Sequence, residues 1–338
     1  MKLQQLTIEQ ITIQQYRFFH NIISHNKLIT QMFRIHPINE PTKIYYVYVN
    51  GFWDGFIEKR DGFHVGFFEN LLKQTKLSHI EFTKDIHKAS ILLESHFGKS
   101  LVTNKKWHKT IFFSGEASYK FRMPSPLHTY DIVLRSSDNK ENTINLPLCV
   151  VYITTNYLLP KLSLTKQIMT VPLKFCCFSV SNPYCFPRNK IFDVIDCYKK
   201  VDSVGKHNNN VGYTIQPPFW TKQYIQFLSQ YKFIICFENT KEDTYVTEKI
   251  VNAYLANSIP IYWGSDYVKQ LFHENSMIYL EDENNEECYY DILNKVIELD
   301  RDNTKYLEFV NRRSFNADFF RQHLSIEKIA DQINKFIE

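Results

Sequence analysis

The stretch YKFIICFENTKEDTYVTEKIVNAYLANSIPIYWG, residues 231–264, decides how this chain folds. Its apolar run 233–237 is typical of a buried strand, and the polar residues that follow end that strand. A helix is predicted to begin near Thr247, because apolar side chains recur there with a helical period. These side chains are Val246, Ile250, Ala253 and Tyr254. Asn257 can end the helix in the left-handed conformation, and the run 259–263 predicts the next buried strand.

Polar side chains in this stretch lie where a ligand is expected to bind. In open α/β sheets the ligand binds where the carboxyl end of a strand meets the amino end of the next helix. The residues at that place are Glu238, Asn239, Tyr245, Glu248 and Lys249. Helix-start amide groups and a lysine in the first turn suit a diphosphate. The stretch therefore predicts the donor site of an enzyme that uses a nucleotide.

Length and charge limit the possible classes of protein. The 338 residues suffice for about two domains of roughly 150 residues each. Apolar residues make up 44% of the chain, which is enough for a full core. The 40 basic and 36 acidic residues leave a net charge of +4, unlike a dedicated nucleic-acid-binding protein. We therefore expect no nucleic-acid partner and a local positive pocket for an anionic ligand.

The seven cysteines indicate a reducing compartment. Their number is odd and no C-x-x-C pair is present, so the sequence supports neither a disulfide framework nor a zinc site. The longest apolar run, 146–159, is interrupted by polar residues and is too short to span a bilayer. We expect a cytoplasmic protein without a transmembrane segment.

Short apolar runs alternate with helical or loop segments, which predicts parallel α/β sheets. The expected strands are 44–49, 90–94, 110–113, 131–134, 148–152, 175–180, 201–204, 233–237, 259–263 and 277–280, and helices near 289–300, 303–322 and 325–337 follow. The predicted organisation is an N-terminal extension (1–40), a first domain (41–165), a second domain (166–320) and a C-terminal helix (321–338). The chain lacks the G-x-G-x-x-G and G-x-x-x-x-G-K-[ST] patterns, which disfavours NAD enzymes and P-loop NTPases.

Two charged residues outside the central stretch have two interpretations each. Glu116 follows the predicted strand 110–113, and it is either a surface glutamate at a turn or a general base facing the cleft. Arg188 stands in the first turn of the predicted helix 188–200, where its charge opposes the helix dipole. It is either a solvated surface arginine or a ligand of an anion that also contacts the helix amides.

Several segments together resemble the signature of the α-1,3/4-fucosyltransferases, and above all that of the bacterial members. In the central stretch these are FEN (237–239), YVTEKI (245–250), NA (252–253) and IPI (259–261). Upstream, FSVSNPYCFPRNKIFD (178–193) is similar to the strand, turn and arginine-bearing helix of that family. IFFSGEA (111–117) is similar to the bacterial segment with the proposed catalytic glutamate. The likeness covers the second domain almost throughout and the first domain more loosely, and it leaves residues 1–40 unmatched.

This resemblance implies a GT-B fold, in which two Rossmann-like, doubly wound α/β domains face each other across a cleft. It also implies an inverting glycosyltransferase that moves L-fucose from GDP-β-L-fucose to a hydroxyl of a glycan acceptor. The leading hypothesis is an α-1,3-fucosyltransferase that acts on O3 of N-acetylglucosamine. The first domain is then expected to bind the acceptor, and the second to bind GDP-fucose.

The resemblance also implies roles for individual residues. Glu116 is expected to be the base that takes the proton of the acceptor hydroxyl. Arg188 and Lys249 are expected to stabilise the charge on the leaving GDP, so that neither a metal nor another cofactor is required. Glu248 is expected to accept hydrogen bonds from ribose or fucose hydroxyls. The other expected donor-binding residues are Ser181, Asn182, Asn239 and Tyr245.

Two alternatives stay open: a GT-B transferase with another sugar nucleotide or acceptor, and a catalytically silent glycan-binding protein. Acceptor specificity is expected in the first-domain loops 51–65 and 117–130. Aromatic residues there either stack on a sugar or fill the core, and the sequence favours neither interpretation. They are Phe52, Trp53, Tyr119 and Phe121.

Overall fold

The computed structural model describes residues 43–59, 64–117, 124–137, 140–155, 158–164, 167–215 and 221–337. The predicted N-terminal extension 1–40 lies outside these described residues, as do Tyr119 and Phe121. Ile44–Glu338 form one compact unit that contains two sheets.

The first sheet has six parallel strands in the described residues, in the order β2-β1-β3-β4-β5-β6. They are β1 (Tyr45–Asn50), β2 (Ile80–Thr83), β3 (Ile91–Glu94), β4 (Lys109–Ser114), β5 (Ile132–Arg135) and β6 (Thr143–Asn145). Val47 pairs with Ile91, and Leu93 pairs with Ile111. These side chains are buried, as near-continuous apolar runs predict for strands of a parallel sheet.

The second sheet has five parallel strands in the described residues, in the order β11-β10-β9-β7-β8. They are β7 (Lys174–Phe178), β8 (Val201–Ser203), β9 (Tyr231–Ile235), β10 (Ile259–Tyr262) and β11 (Ile278–Tyr279). In both sheets the first strand lies between the second and the third, which is one of the two common doubly wound orders. The point where the strand order reverses is between β1 and β3 in the first sheet and between β7 and β9 in the second. Ligands of such sheets bind beside this point, at the carboxyl ends of the strands.

Helices connect the strands and close the chain. They are Val65–Lys73, Leu148–Thr155, Leu158–Ser163, Phe186–Asp196, Lys222–Leu228, Glu248–Leu255, Val268–Leu271, Glu286–Arg301, Asn303–Val310, Ala317–His323 and Ile326–Ile333. Short 3-10 turns lie at Leu127–Thr129 and Glu274–Ser276.

The central stretch has the predicted conformation. Strand β9, the helix Glu248–Leu255 and strand β10 follow one another. Asn257 has a φ of 59°, in the left-handed region. Its N–H donates to Tyr254 O at 3.2 Å, and Ser258 N donates to Ala253 O at 3.0 Å. These are the two hydrogen bonds of a Schellman motif, so Asn257 ends the helix as predicted.

The predicted strand 148–152 is wrong, because this segment begins the helix Leu148–Thr155. Its residues are apolar on all sides, and Cys149, Val150 and Ile153 are buried. In so short a run, periodicity does not distinguish a buried strand from a buried helix. Cys149 N donates to Val246 O at 3.0 Å, so this helix lies where the first and second domains meet.

Two smaller differences concern element boundaries, and a third concerns strands that were not predicted. The predicted helix 303–322 is interrupted, and Phe315 in the gap pairs with Phe272. The helix predicted from residue 188 begins two residues earlier, at Phe186, with Pro187 in its first turn. The sequence did not predict the short strands β2 and β6.

Candidate active site

A cavity of about 410 Å³ lies where the strand order of the second sheet reverses, beside the loops that follow β7 and β9. Glu116, which follows β4 of the first sheet, also lines this cavity. The predicted site residues on its wall are Glu116, Ser181, Asn182, Arg188, Asn239, Glu248 and Lys249. The structure thus brings together side chains from three separate segments of the sequence.

Arg188 connects two loops of the second sheet. Its side chain lies on the helix Phe186–Asp196 and is only 1% exposed, which excludes a solvated surface arginine. Its Nη1 donates to Asn239 Oδ1 at 2.7 Å, and its Nη2 donates to Asn182 O at 2.6 Å. Both of these acceptors are neutral oxygens, and the two contacts orient the guanidinium. A positive charge is therefore held at the cavity wall.

Glu238 is the central residue of a buried polar network that the sequence did not predict. The side chain is 0% exposed. It accepts from Thr247 N at 2.7 Å, from Thr247 Oγ1 at 2.8 Å and from Lys249 Nζ at 2.9 Å. A buried carboxylate is stable only with such partners. Glu238 therefore orients both the start of the helix Glu248–Leu255 and the ammonium group of Lys249.

Lys249 stays protonated in this environment. Burial alone lowers the pKa of its ammonium group, but the negative charges of Glu238 and Glu248 outweigh burial and raise this pKa above its usual value. The amine also donates to Thr247 Oγ1 at 2.9 Å. A fixed cation at a helix start suits the phosphate oxygens of a nucleotide.

Some residues on the wall were not predicted from the sequence. They are Ser179, Val180, Tyr224, Leu228, Ile234, Ile235, Cys236 and Asn252. A signal existed for Asn252, because it stands four residues after Glu248 and therefore shares its helix face. Tyr224 belongs to the helix Lys222–Leu228, and no pattern in that segment indicated a site.

Tyr245 is placed differently from the other predicted donor residues. Its side chain is buried, and burial raises the pKa of its phenol. The described wall of the cavity does not include Tyr245. Its contact with a donor stays a prediction.

The Glu116 loop is held by a hydrogen-bonded chain from the neighbouring strand. Ser114 Oγ accepts from Glu116 N at 3.2 Å and also shares a hydrogen bond with His96 Nε2. Gly115 permits a close approach, since a Cβ there would lie 2.8 Å from Leu148 Cδ1. The backbone of Glu116 is thereby positioned at the end of β4, and the loop carries a carboxylate to the cavity.

Within the described ranges, no cluster of three or more His, Cys, Asp and Glu side chains has an arrangement that could hold a metal ion. No helix in the same part of the chain is both long and apolar enough to cross a membrane.

Two doubly wound sheets with such a cavity define a GT-B fold. A crystal structure of an α1,3-fucosyltransferase matches with a TM-score of 0.65 and 22% identity, over 87% of this chain and 90% of that one. A crystal structure of α1,3-fucosyltransferase with GDP-fucose matches with a TM-score of 0.61 and 21% identity, over 90% of this chain and 94% of that one. Identities this low show the fold alone, and the fold extends over both domains.

Residues 173–334 match the family model described as the C-terminal domain of glycosyltransferase family 10 (fucosyltransferase). The α-(1,3)-fucosyltransferase FucT of Helicobacter pylori is 36% identical over 164 residues, which are 47% of this chain and 32% of that protein. The α-(1,3)-fucosyltransferase B of Drosophila melanogaster is 31% identical over 130 residues, 36% of this chain and 26% of that protein. The match to this family model covers nearly half of the chain and lies in its second domain. The chain matches about a third or less of the length of these curated relatives.

Proposed function

We propose that this protein is an inverting α-1,3-fucosyltransferase that moves L-fucose from GDP-β-L-fucose to O3 of N-acetylglucosamine in a glycan. One observation carries the proposal. A single cavity has the cations Arg188 and Lys249 on the side of the second sheet and the carboxylate of Glu116 from the first domain. Displacement with inversion requires a base and a leaving-group site on opposite sides of the reacting carbon, and two facing domains can provide them.

The second domain supplies the donor site in this proposal. Arg188 and Lys249 bind the diphosphate and stabilise the negative charge that develops on GDP as the bond to fucose breaks. Glu248 accepts hydrogen bonds from sugar hydroxyls of the donor. Val180 and Leu228 give part of the wall an apolar character, which suits a nucleobase.

The first domain supplies the base. Glu116 takes the proton of the acceptor hydroxyl while its oxygen attacks the anomeric carbon of fucose. The new bond forms on the face opposite to the departing GDP, so the β-linked donor yields an α-linked product. Support for O3 as the attacking oxygen comes from the names of relatives. One of them is the 4-galactosyl-N-acetylglucosaminide 3-α-L-fucosyltransferase 9 of Pan troglodytes, which is 32% identical over 103 residues.

The proposed transfer uses no divalent metal, because the two cations are positioned to take over the neutralisation of the leaving group. Turnover in excess EDTA is therefore expected to equal turnover with added Mg²⁺. Loss of turnover in EDTA that Mg²⁺ or Mn²⁺ restores would contradict this part of the proposal.

The activity is tested by incubation with GDP-fucose and N-acetyllactosamine, followed by mass spectrometry and assignment of the linkage by NMR. The expected product carries one fucose, α-linked to O3 of N-acetylglucosamine. GDP-mannose and UDP-galactose in parallel reactions are expected to give no product. An absence of both transfer and hydrolysis of GDP-fucose would exclude the proposed donor.

A further inference from the structure

A second cavity, of about 220 Å³, lies where the strand order of the first sheet reverses. It is lined by the loops that follow β1, β3 and β4 and by the helix Leu148–Thr155, and it shares Glu116 with the donor cavity. This is the place at which an open α/β sheet binds a ligand. Apart from Glu116, the proposed reaction gives no role to the residues of this cavity.

The loops after β1 and β3 pack against each other at Gly51. This glycine has a φ of 70°, and a Cβ there would lie 2.5 Å from Ser95 O. Phe97 N donates to Gly51 O at 2.8 Å, which joins the two loops. Glycine is the residue that fits both the left-handed backbone and the close approach. As a result, Trp53 and Phe97 line the same cavity from two different strands.

Trp53 and Phe97 present aromatic surface to solvent, with exposed fractions of 39% and 55%. Phe52, the neighbour of Trp53, instead packs with its ring centroid 4.0 Å from that of Phe56 and 5.8 Å from that of Phe68. Phe52 is thus partly buried against the core, whereas Trp53, whose ring also meets Phe56 edge-on at 5.1 Å, keeps an exposed face in the cavity. Flat exposed rings can bury the apolar C–H face of a sugar.

The cavity wall favours an uncharged ligand. Among the described residues that line it, Glu116 is the one charged side chain. Burial, together with the positive charge of Arg135, lowers the pKa of His96 to about 4, so the imidazole is neutral at pH 7. An anionic sugar would thus meet a negative charge and no cation in this wall.

The size of the cavity favours a single sugar ring. Its volume of about 220 Å³ is roughly half that of the donor cavity. Pockets for drug-sized ligands usually measure about 300–1,000 Å³. A longer oligosaccharide therefore has to extend outside this cavity.

On the basis of the proposed function, we infer that this cavity binds one neutral pyranose ring of the acceptor, with its C–H face on Trp53 and Phe97. In this position a hydroxyl of the ring reaches Glu116, the residue that both cavities share. The aromatic pair then determines which acceptor is used, independently of the donor site.

The inference is tested by the binding of N-acetyllactosamine to the full chain in the presence of GDP. Saturation-transfer-difference NMR measures this binding. Trp53→Ala and Phe97→Ala are each expected to raise the Kd for this disaccharide about 10-fold, the scale of a central aromatic contact. Tyr290→Ala is the matched control, because Tyr290 is a 50% exposed aromatic residue of the second domain that lines neither cavity. The control is expected to keep the parent Kd. GDP affinity, measured by calorimetry, is expected to stay unchanged in all three variants.

An unchanged disaccharide Kd in both aromatic variants, or no binding of the disaccharide to the parent protein, overturns the inference. A 6-sulfated N-acetyllactosamine is expected to bind more weakly than the neutral sugar, and equal or tighter binding contradicts the neutral-ligand assignment. Failure of the proposed function has a different signature: the disaccharide binds through Trp53 and Phe97, but no fucose is transferred. Conversely, fucose transfer with an acceptor KM that neither variant changes supports the proposed function and overturns this inference.

Discussion

The proposed donor side and the proposed acceptor side of this molecule are built in different ways. In the second domain, Arg188 and Glu238 are almost completely buried and position their neighbours through short polar contacts. In the first domain, Trp53 and Phe97 are exposed, and the packing of two loops at Gly51 positions them. The donor side therefore depends on buried polar contacts, and the acceptor side depends on shape.

This difference has consequences for substitutions. Removal of one partner from a buried polar network leaves the other partner without compensation, so a variant on the donor side loses stability as well as ligand affinity. An exposed aromatic residue can be replaced with little effect on folding. Variants on the acceptor side are thus expected to change turnover and acceptor binding while the fold stays intact.

The largest effect is expected for Glu238→Ala. This change leaves the ammonium group of Lys249 and the amide of Thr247 without their buried acceptor, and it is expected to lower the free energy of unfolding by about 3–5 kcal/mol. Urea denaturation followed by circular dichroism measures the difference. Glu308→Ala, at an exposed position of the helix Asn303–Val310, is the control and is expected to change stability by less than about 0.5 kcal/mol. Equal midpoints for the two variants would contradict the role of the network.

The double variant Glu238→Gln/Lys249→Met separates stability from binding. Removal of both charges is expected to recover much of the lost stability, because no uncompensated charge remains buried. GDP affinity is expected to stay low, since the cation is missing. Recovery of GDP binding together with stability would show that Lys249 does not contact the donor.

The next effect is expected for Glu116→Gln, which keeps the shape of the side chain and removes the base. Turnover is expected to fall by at least ~10²-fold, the usual scale for loss of a general base, while the Kd for GDP stays roughly equal to that of the parent. Glu81→Gln, on an exposed residue of β2, is the control and is expected to have parent turnover. Parent turnover in Glu116→Gln would rule out this residue as the base.

Arg188→Ala is expected to weaken GDP binding roughly 10- to 100-fold, because charge-assisted hydrogen bonds to the diphosphate are lost. Arg188→Lys is expected to recover only part of this loss, since an ammonium group cannot replace a planar guanidinium that contacts both Asn239 and Asn182. Calorimetric titration with GDP measures both variants. Arg321→Ala, at an exposed arginine paired with Asp318, is the control. Full recovery by lysine would mean that charge alone matters.

The smallest effect concerns the pH dependence of stability. It arises from His96, which shares a hydrogen bond with Ser114 at the Glu116 loop. Burial and Arg135 lower the pKa of His96 from 6.5 to about 4 in the folded protein. Between these values the unfolded chain binds more protons than the folded chain, so stability is lost as the pH falls from about 6.5 toward 4. His96→Asn is expected to make this loss smaller between pH 7 and pH 5, as measured by urea denaturation. His128→Asn, at an exposed histidine, is the control and is expected to keep the pH dependence of the parent. The same pH dependence of stability in both variants would contradict the buried neutral state of His96.

Local patterns predicted the second domain better than the first. Helical period and turn chemistry sufficed for the helix Glu248–Leu255 and for its end at Asn257. The segment Leu148–Thr155 was predicted as a strand because a uniformly apolar run has no period to interpret. The sequence placed Glu238 near the site but did not predict its role. Its contact with Lys249 depends on the folded positions of both side chains, which the sequence does not give.

The sequence by itself determined the part of the proposed donor side that lies in the central stretch. Residues 231–264 are contiguous, so strand, loop and helix place Asn239, Glu248 and Lys249 at one edge through local geometry alone. Only the tertiary structure decided the acceptor side. Trp53, Phe97 and Glu116 follow three different strands, and their proximity depends on parallel pairing and on the loop contact at Gly51. Contacts between segments distant in the chain leave no period in the sequence, which is why the proximity of these three side chains became apparent only in the folded molecule.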